Sequence, residues 1–381
     1  MNQLFPPTRP ASAELSALKA EIRSRRAEFE KLRHIPDDII AALKRVGAYR
    51  AFVPAALGGD ELSPAAFCRL IEEISYADAS TGWVASFGVS TTYLAALPKQ
   101  TFEAIYGADP DMTFAGAIFP PQPAPVERGG FIVSGRWPYC SGCMGADYIG
   151  VGIKSSDPGN SLPRMAVMKA SQARIEQVWD CVGLAATGSH DVLVEAVFVP
   201  EEMSFVRGGR SQRDEPVFRY PAMALASQVL AVVALGTAQE ALDYVHDALA
   251  EKSSITGAPS LATRAYVQQG FAQAQAALSS ARAYFYETIE QGWAQVLRGD
   301  DVPRAQRTAM RLAATNAAHT GADVARQAFR LGGTEALRRG HVLGRCMLDA
   351  ASVAQHAFLG LGTWTLAGAG MLNQPTPPGY P

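Results

Sequence analysis

The sequence predicts an α+β fold in which an N-terminal helical domain, a small central antiparallel β domain and a C-terminal helical bundle follow one another. Three observations support that order. Helical spacing of apolar residues fills the first part, short strand-like segments separated by glycine and proline fill the middle, and long alanine-rich helical stretches fill the rest. The expected domain boundaries are 1–111, 112–212 and 213–381.

The N-terminal part begins with Leu15, Leu18 and Ile22, which recur at steps of three and four residues among charged side chains. That spacing is typical of an amphipathic helix. Pro36 is followed by two aspartates and Ser63 by a proline, and both patterns favour the first turn of a further helix. Several packed helices are therefore expected before residue 111.

The middle part has no helical periodicity. Four prolines between residues 120 and 125 precede Gly129 and Gly130. Strand-forming residues are concentrated in six short segments: 131–133, 137–139, 148–153, 165–168, 175–179 and 192–199. Short strands separated by turn residues indicate a small antiparallel β domain.

The C-terminal part has long apolar helical stretches at 222–251, 261–297, 303–330 and 346–368. Their lengths suit a multi-helix bundle. High alanine content indicates close packing and burial between subunits, so a homodimer or homotetramer is expected. The tail 373–381 contains four prolines and is expected to be extended or disordered.

The composition excludes several classes of function. The chain carries 34 basic and 36 acidic residues, so it has no net attraction for nucleic acid or an anionic membrane. The apolar run 222–235 is shorter than the ~20 residues of a membrane span and is expected to be a buried helix. The pair Cys140 and Cys143 lacks a second ligand pair, so no metal site is expected. Residues 1–10 show no secretory signal, and a cytoplasmic location is expected.

Four stretches, taken in order, resemble the acyl-CoA dehydrogenase superfamily. They are 36–59, ending in Gly58-Gly59; 129–142, ending in Ser141-Gly142; 179–200, containing Thr187-Gly188-Ser189; and 331–356, containing Gly332-Gly333, Arg345, Asp349 and His356. Within the superfamily the chain resembles flavin-dependent monooxygenases of the p-hydroxyphenylacetate hydroxylase oxygenase-component type. The resemblance implies the acyl-CoA dehydrogenase fold, with FAD or FMN held between the β domain and the bundle.

An isoalloxazine ring needs an aromatic wall and a few hydrogen-bond partners. Trp137, Tyr139 and Trp179 are candidates for the wall, although aromatic residues are also common in β cores. The candidates for hydrogen-bond donors to the ring are Ser141, Thr187 and Ser189.

The resemblance also implies a phosphate site at Gly332 and Gly333, where the superfamily binds the flavin pyrophosphate, usually that of a neighbouring subunit. Glycine lets backbone N–H groups approach a phosphate, but a helix C-cap explains the pair equally well. The further candidates for cofactor binding are Gln268, Arg282, Arg326 and Gln327.

A dehydrogenase of acyl thioesters needs a carboxylate base near the flavin. At the corresponding place this chain has His356, where the oxygenase branch carries a histidine. The oxygenase resemblance implies that Ser141 supports a C4a-hydroperoxyflavin and that His356 acts as a base or stabilises that adduct. The alternatives are a turn serine that bonds its own backbone and a structural histidine.

Two departures from the oxygenase pattern concern the substrate. Ser90 and Thr91 stand where many aromatic hydroxylases carry a histidine, and the Thr-Gly-Ser motif before His190 has lost its preceding arginine. We therefore expect Ser90, Thr91, His190 and His356 to shape the substrate site, and the substrate to be something other than a simple phenol.

The sequence thus predicts a two-component monooxygenase that uses reduced flavin and O2 to oxygenate a small organic substrate, with aromatic compounds among the options. No GxGxxG dinucleotide fingerprint is visible, so a separate reductase is expected to supply the flavin. One alternative is an acyl-CoA dehydrogenase-like enzyme that oxidises a CoA thioester, with Glu335 or Asp349 as the nearest acid. The other is a non-catalytic scaffold on the same fold.

Overall fold

The computed structural model describes residues 12–154, 162–251, 260–377 and 380–381. The predicted order of helices, strands and helices is confirmed. Helical structure ends at Ala108 before the first strand begins at Phe114, and the last strand ends at Val206 before the next helix begins at Pro216.

The N-terminal helices are α1 (Ala13–Leu32), α2 (Asp37–Arg45), α3 (Pro64–Ala77), α4 (Ala79–Ala85), α5 (Ser90–Leu94) and α6 (Lys99–Ala108). Side-chain caps define several of the starts. Ser12 accepts a hydrogen bond from the Leu15 N–H at the start of α1, and Asp78 accepts one from the Thr81 N–H at the start of α4. The α4 cap is buried, which fixes this short helix between the other two parts of the molecule.

The strands are β1 (Phe114–Gln122), β2 (Val126–Glu127), β3 (Gly130–Cys140), β4 (Tyr148–Ile153), β5 (Arg164–Lys169), β6 (Arg174–Glu176), β7 (His190–Pro200) and β8 (Ser204–Val206). They form two four-stranded sheets, ordered β1-β4-β5-β8 and β2-β3-β7-β6. The pairings are antiparallel, as predicted, except that β1 and β4 run parallel. Apolar side chains from both sheets form one shared core.

The C-terminal helices are α7 (Pro216–Arg219), α8 (Ala222–Glu251), α9 (Ala265–Leu297), α10 (Arg304–Leu331), α11 (Val342–Gln355) and α12 (Gly362–Met371). Among the described residues, one helix is apolar and long enough to cross a membrane, over Ala222–Leu249 of α8. However, 83% of its most apolar stretch is buried, because α8 packs against α3, α10 and α11. The prediction of a buried core helix is therefore confirmed.

The β domain joins the helical parts through the loop between β6 and β7. The Leu184 N–H donates to Asp349 Oδ1 of α11 at 2.6 Å, and the Ala186 N–H donates to Ser80 Oγ of α4 at 3.2 Å. A side chain at Gly183 would collide with the Leu348 backbone, so glycine allows the loop to approach α11. This junction positions the loop that carries the candidate active site.

Candidate active site

Three hydroxyl groups form a continuous chain at the end of β3. Ser141 Oγ lies 2.7 Å from Ser189 Oγ, which lies 2.7 Å from Thr187 Oγ1. Thr187 Oγ1 donates to the Leu184 carbonyl oxygen at 2.9 Å. The predicted grouping of Ser141, Thr187 and Ser189 is present, although they come from two separate segments.

The direction of this chain follows from its last bond. A carbonyl oxygen can only accept, so the Thr187 proton is used on Leu184, and Ser189 must then donate to Thr187. Ser141 must in turn donate to Ser189. Ser141 Oγ therefore offers lone pairs to any group that approaches from outside, so it acts as a hydrogen-bond acceptor and not as the predicted donor.

Tyr139 and Trp179 form an aromatic surface beside Ser141. Tyr139 is 72% exposed, and its ring meets the Trp179 ring edge to face at 6.3 Å between centroids. The Trp179 Nε1–H donates to the Leu184 carbonyl oxygen, and the Trp179 backbone N–H donates to His190 Nδ1. Tyr139 also has a left-handed backbone with φ of 61°. A non-glycine residue in that conformation costs on the order of 1–3 kcal/mol, and such strain is concentrated at functional sites.

His356 lies at the end of α11, with its ring between two aromatic residues. Its centroid is 5.5 Å from that of Trp83 and 5.0 Å from that of Phe358. The Phe358 N–H donates to His356 Nδ1 at 3.2 Å, so the neutral ring carries its proton on Nε2. Burial, followed by the positive charges of Arg207 and Arg311, lowers the pKa of His356 to about 4. At neutral pH, His356 is therefore an uncharged donor through Nε2–H.

The helical segment 83–87 links Ser141 to His356. Its Trp83 ring contacts His356, while Val84 and Phe87 lie 3.6 and 3.5 Å from where a Cβ atom on Gly142 would stand. Gly142 directly follows Ser141 and has a φ of 75°. Apolar and aromatic side chains of this segment therefore contact both His356 and the turn that carries Ser141, and such surroundings suit a flat conjugated ring.

Two arginines beside His356 were not found by sequence reasoning. Arg207 lies directly after β8, and Arg311 lies on the buried face of α10. A signal for Arg311 was available, since its neighbours at steps of three and four residues, Thr308 and Thr315, lie on the apolar side of an alanine-rich helix. Arg207 sits in a loop whose path the sequence does not define.

Comparisons with known proteins agree with this geometry. Residues 15–100 match the acyl-CoA dehydrogenase N-terminal domain, and residues 228–360 match the acyl-CoA dehydrogenase C-terminal domain. An indole-3-acetate monooxygenase from Pseudomonas putida is 53% identical over 94% of this chain and 92% of that protein. One from Acinetobacter baumannii is 45% identical over 97% of this chain and 96% of that protein.

The chain belongs to the acyl-CoA dehydrogenase superfamily, in its flavin-dependent monooxygenase branch.

Further comparisons support the same placement. The oxygenase component of a FADH2-dependent resorcinol hydroxylase from Rhizobium sp. is 30% identical over 68% of this chain and 67% of that protein. A 3-HSA hydroxylase from Rhodococcus sp. has a crystal structure that superposes with a TM-score of 0.90 at 27% identity, covering 98% of this chain and 99% of that one. The protein is an oxygenase component of a two-component flavin-dependent monooxygenase, so the predictions of fold, cofactor class and reaction type are confirmed.

The residues of this monooxygenase suit a flavin. The exposed Tyr139 and the half-buried Trp179 offer an aromatic surface, Ser141 offers an acceptor, and His356 offers a donor. When bound, reduced flavin supplies the electrons that activate O2.

Two of the predicted site residues lie behind this surface. Trp137 is fully buried in the β core and donates its Nε1–H to the Gly152 carbonyl oxygen at 2.8 Å, so its assignment to the flavin wall is wrong. Regular strand alternation would place Trp137 and Tyr139 on the same face, but a register shift in β3 between Trp137 and Cys140 breaks that alternation and turns the tyrosine outward. His190 is fully buried and orients Trp179, so its assignment to substrate contact is also wrong.

Ser90 and Thr91, which stand where related enzymes carry a histidine, were both predicted to shape the substrate site. For Thr91 this prediction is wrong. Its hydroxyl donates to the Gly88 carbonyl oxygen and faces Tyr106, so it belongs to the interior of the N-terminal domain. Ser90 is buried and lies three residues after Phe87, on the face of the helical segment that approaches Gly142. Its role in substrate binding stays a prediction.

The predicted phosphate residues form a separate group in the bundle. Gln327 lies next to Gly270 on α9, and Gln268 donates to the Ala262 carbonyl oxygen. Gly333 has a φ of 64°, and Gly332 packs against Leu343. The described contacts of these residues do not include Ser141, and their role toward a neighbouring subunit's flavin stays a prediction.

The two predicted arginines of this group are neutralised within the chain. Arg282 pairs with Glu72 at 2.7 Å and also donates to Gln239, and its role in cofactor binding stays a prediction. Arg326 pairs with Asp323 one turn away on the exposed side of α10.

Asp349, which the sequence suggested as an alternative base, has a structural contact instead. It lines a cavity of about 480 Å³ together with Ser80, Ala186 and Arg345, whereas Ser141 and His356 do not line that cavity. Burial, followed by the negative charge of Asp78, raises the pKa of Asp349 to about 8. Its bond to the Leu184 N–H holds the loop that carries the hydroxyl chain.

Proposed function

We propose that this monooxygenase oxygenates an indole-type aryl acetate, with indole-3-acetate as the expected substrate. The identity of 53% to an indole-3-acetate monooxygenase, over more than nine-tenths of both chains, carries this proposal. The aromatic surroundings of His356, formed by Trp83 and Phe358, suit a planar bicyclic ring. The predicted departure from a simple phenol agrees with such a substrate.

The chain's own residues have distinct roles in this proposal. Tyr139 and Trp179 orient the flavin ring, and Ser141 Oγ accepts a hydrogen bond from an N–H of that ring. His356 donates from Nε2 to an oxygen atom between the flavin and the substrate. The apolar segment 83–87 excludes water from this space.

The substrate proposal is tested by turnover with a separate flavin reductase, NADH and O2. Indole-3-acetate, resorcinol and p-hydroxyphenylacetate are compared by liquid chromatography of the products. We expect indole-3-acetate to have the highest kcat/KM. Preference for either of the other two compounds, or oxidation of an acyl-CoA, would contradict the proposal.

We favour FAD over FMN as the flavin, and a homo-oligomer as the assembly. The name of the resorcinol hydroxylase relative supports FAD, and the open space around Gly333 is compatible with the longer cofactor. Exposed apolar residues at the two ends of α12, including Leu361 and Met371, support burial between subunits. Binding titrations with both reduced flavins and light scattering of the purified protein test these two points. The cytoplasmic location stays a prediction.

A further inference from the structure

Two arginines share one aromatic ring beside His356. The guanidinium carbons of Arg207 and Arg311 lie 5.5 and 5.7 Å from the centroid of Phe358. Arg207 also lies 5.4 Å from the ring of Phe119, and Arg311 lies 5.5 Å from that of Tyr380. Two positive charges are therefore held close together by aromatic faces.

Neither charge is neutralised by a carboxylate in the described parts of the chain. Arg311 is only 4% exposed and donates to the backbone carbonyl oxygens of Met223 and Phe358, while its Nε–H has no partner. Among the described residues, the guanidinium of the half-buried Arg207 makes one weak polar contact, 3.9 Å from its Nη2 to the Met223 sulfur. An uncompensated charge away from water is unfavourable, so a ligand is the expected source of compensation.

Three other arginines of the chain that are largely buried are each paired with a carboxylate. Arg26 pairs with Glu240, Arg282 with Glu72, and Arg345 with Glu30. The pair beside His356 departs from this pattern. Burial lowers the pKa of Arg207 and of Arg311, and the charge of Arg207 lowers that of Arg311 further.

The surroundings of Arg207 suit a planar anion. Its guanidinium lies over the rings of Phe119 and Phe358, and aromatic rings leave its N–H groups without a strong hydrogen-bond acceptor. A carboxylate can accept two parallel hydrogen bonds from a guanidinium. Phe119 is 53% exposed, so the site opens to solvent on this side.

We propose that Arg207 and Arg311 form a carboxylate-binding site that holds the acid group of the substrate and directs its aromatic ring toward His356. The chemical class is an aryl acetate, which carries one anionic group and one apolar ring. The half-buried Tyr93, close to Arg207, borders the same site. This inference rests on the proposed function, because it explains how an arene with an acid side chain is selected over a neutral one.

The test compares indole-3-acetate with indole-3-acetamide, its neutral analogue of nearly the same shape. Dissociation constants are measured under anoxia on the flavin-loaded protein. Wild-type protein is expected to prefer the acid. In Arg207→Gln, loss of a charged hydrogen-bonding partner weakens acid binding by roughly 10- to 100-fold and leaves amide binding unchanged.

Three further variants separate recognition from folding. Arg207→Lys keeps the charge without the planar fork and is expected to recover part of the acid affinity. Arg210→Gln changes an exposed arginine of the same loop and is expected to behave as wild type. Because Arg311 also bonds the backbone, Arg311→Lys is tested together with its thermal unfolding, and a selective loss of acid binding at unchanged Tm supports the site.

Equal weakening of acid and amide binding in Arg207→Gln, or no weakening of either, overturns the inference. Failure of the proposed function is distinguished from failure of the carboxylate site by the wild-type protein. If the proposed function is wrong, wild-type protein neither binds nor oxygenates indole-3-acetate. In that case phenylacetate and phenylacetamide are compared in the same way. Loss of selectivity for that acid in Arg207→Gln still supports the carboxylate site, and its absence overturns it.

Discussion

Ser141 Oγ and Ser189 Oγ lie 2.7 Å apart, and the Ser141 proton is used in that bond. Ser141 Oγ can therefore accept but not donate a further hydrogen bond. Reduced flavin carries an N–H at the ring position where oxidised flavin has only a lone pair. If Ser141 contacts the flavin as proposed, the hydroxyl chain is expected to favour the reduced form.

Removal of the Ser141 hydroxyl is expected to uncouple flavin oxidation from substrate oxygenation. In Ser141→Ala, loss of one hydrogen bond, of about 0.5–1.5 kcal/mol, should increase hydrogen peroxide release at the expense of oxygenated product. The measurement is the ratio of peroxide to product during turnover. Cys143→Ala, which changes a buried neighbour in the same turn, is the matched control. Unchanged coupling in Ser141→Ala would remove Ser141 from the mechanism.

Interruption of the hydroxyl chain should alter selectivity between flavin redox states. In Ser189→Ala, Ser141 regains a free proton and can donate to oxidised flavin. We expect the affinity ratio of reduced to oxidised flavin to fall by up to about tenfold, measured by anaerobic and aerobic titration. Thr92→Val, which removes a hydroxyl bonded only to its own helix, controls for general effects. An unchanged ratio in Ser189→Ala would contradict the assigned direction of the chain.

The role of His356 as a donor can be separated from a role as a base. His356→Gln keeps an N–H donor near the Nε2 position but cannot be protonated, whereas His356→Ala has neither property. We expect the glutamine variant to retain much more oxygenation activity than the alanine variant. Equally inactive variants would indicate a base, and so would an acid limb of the pH–rate profile that His356→Gln abolishes.

The lowered pKa of His356 predicts a pH dependence of stability. The unfolded histidine binds a proton near its ordinary value of 6.5, whereas the folded one does so only near 4. Between these values the unfolded state holds more protons, so the contribution of His356 to stability falls as the pH falls through that window. Urea unfolding at pH 7 and pH 5 should show a smaller loss in His356→Gln than in wild type.

The raised pKa of Asp349 predicts that stability depends on pH in the opposite direction. Its folded pKa of about 8 exceeds the ordinary value of 3.8, so the folded state holds more protons between these values and stability falls as the pH rises. Asp349→Asn keeps the acceptor for the Leu184 N–H and does not titrate. The free energy of unfolding of this variant should therefore rise relative to wild type between pH 5 and pH 8. A constant difference between the two proteins would show that the carboxyl is ionised throughout.

The sequence was sufficient for the fold, because helical and strand periodicities depend on local spacing. The three residues of the hydroxyl chain were also predictable, since Ser141, Thr187 and Ser189 lie in short turn motifs. Trp137 was misassigned because a register shift within β3 decides which aromatic residue faces outward. Arg207 and Arg311 were missed because they meet only in three dimensions, across 104 positions of the chain, around Phe358.

The most direct test of the account is turnover of indole-3-acetate under 18O2, with the purified protein, a separate flavin reductase and NADH. The primary product is expected to gain one oxygen atom from O2, detected by mass spectrometry as incorporated 18O. No product is expected under anoxia. A product whose added oxygen comes from water, or turnover under anoxia with an artificial electron acceptor, would contradict it.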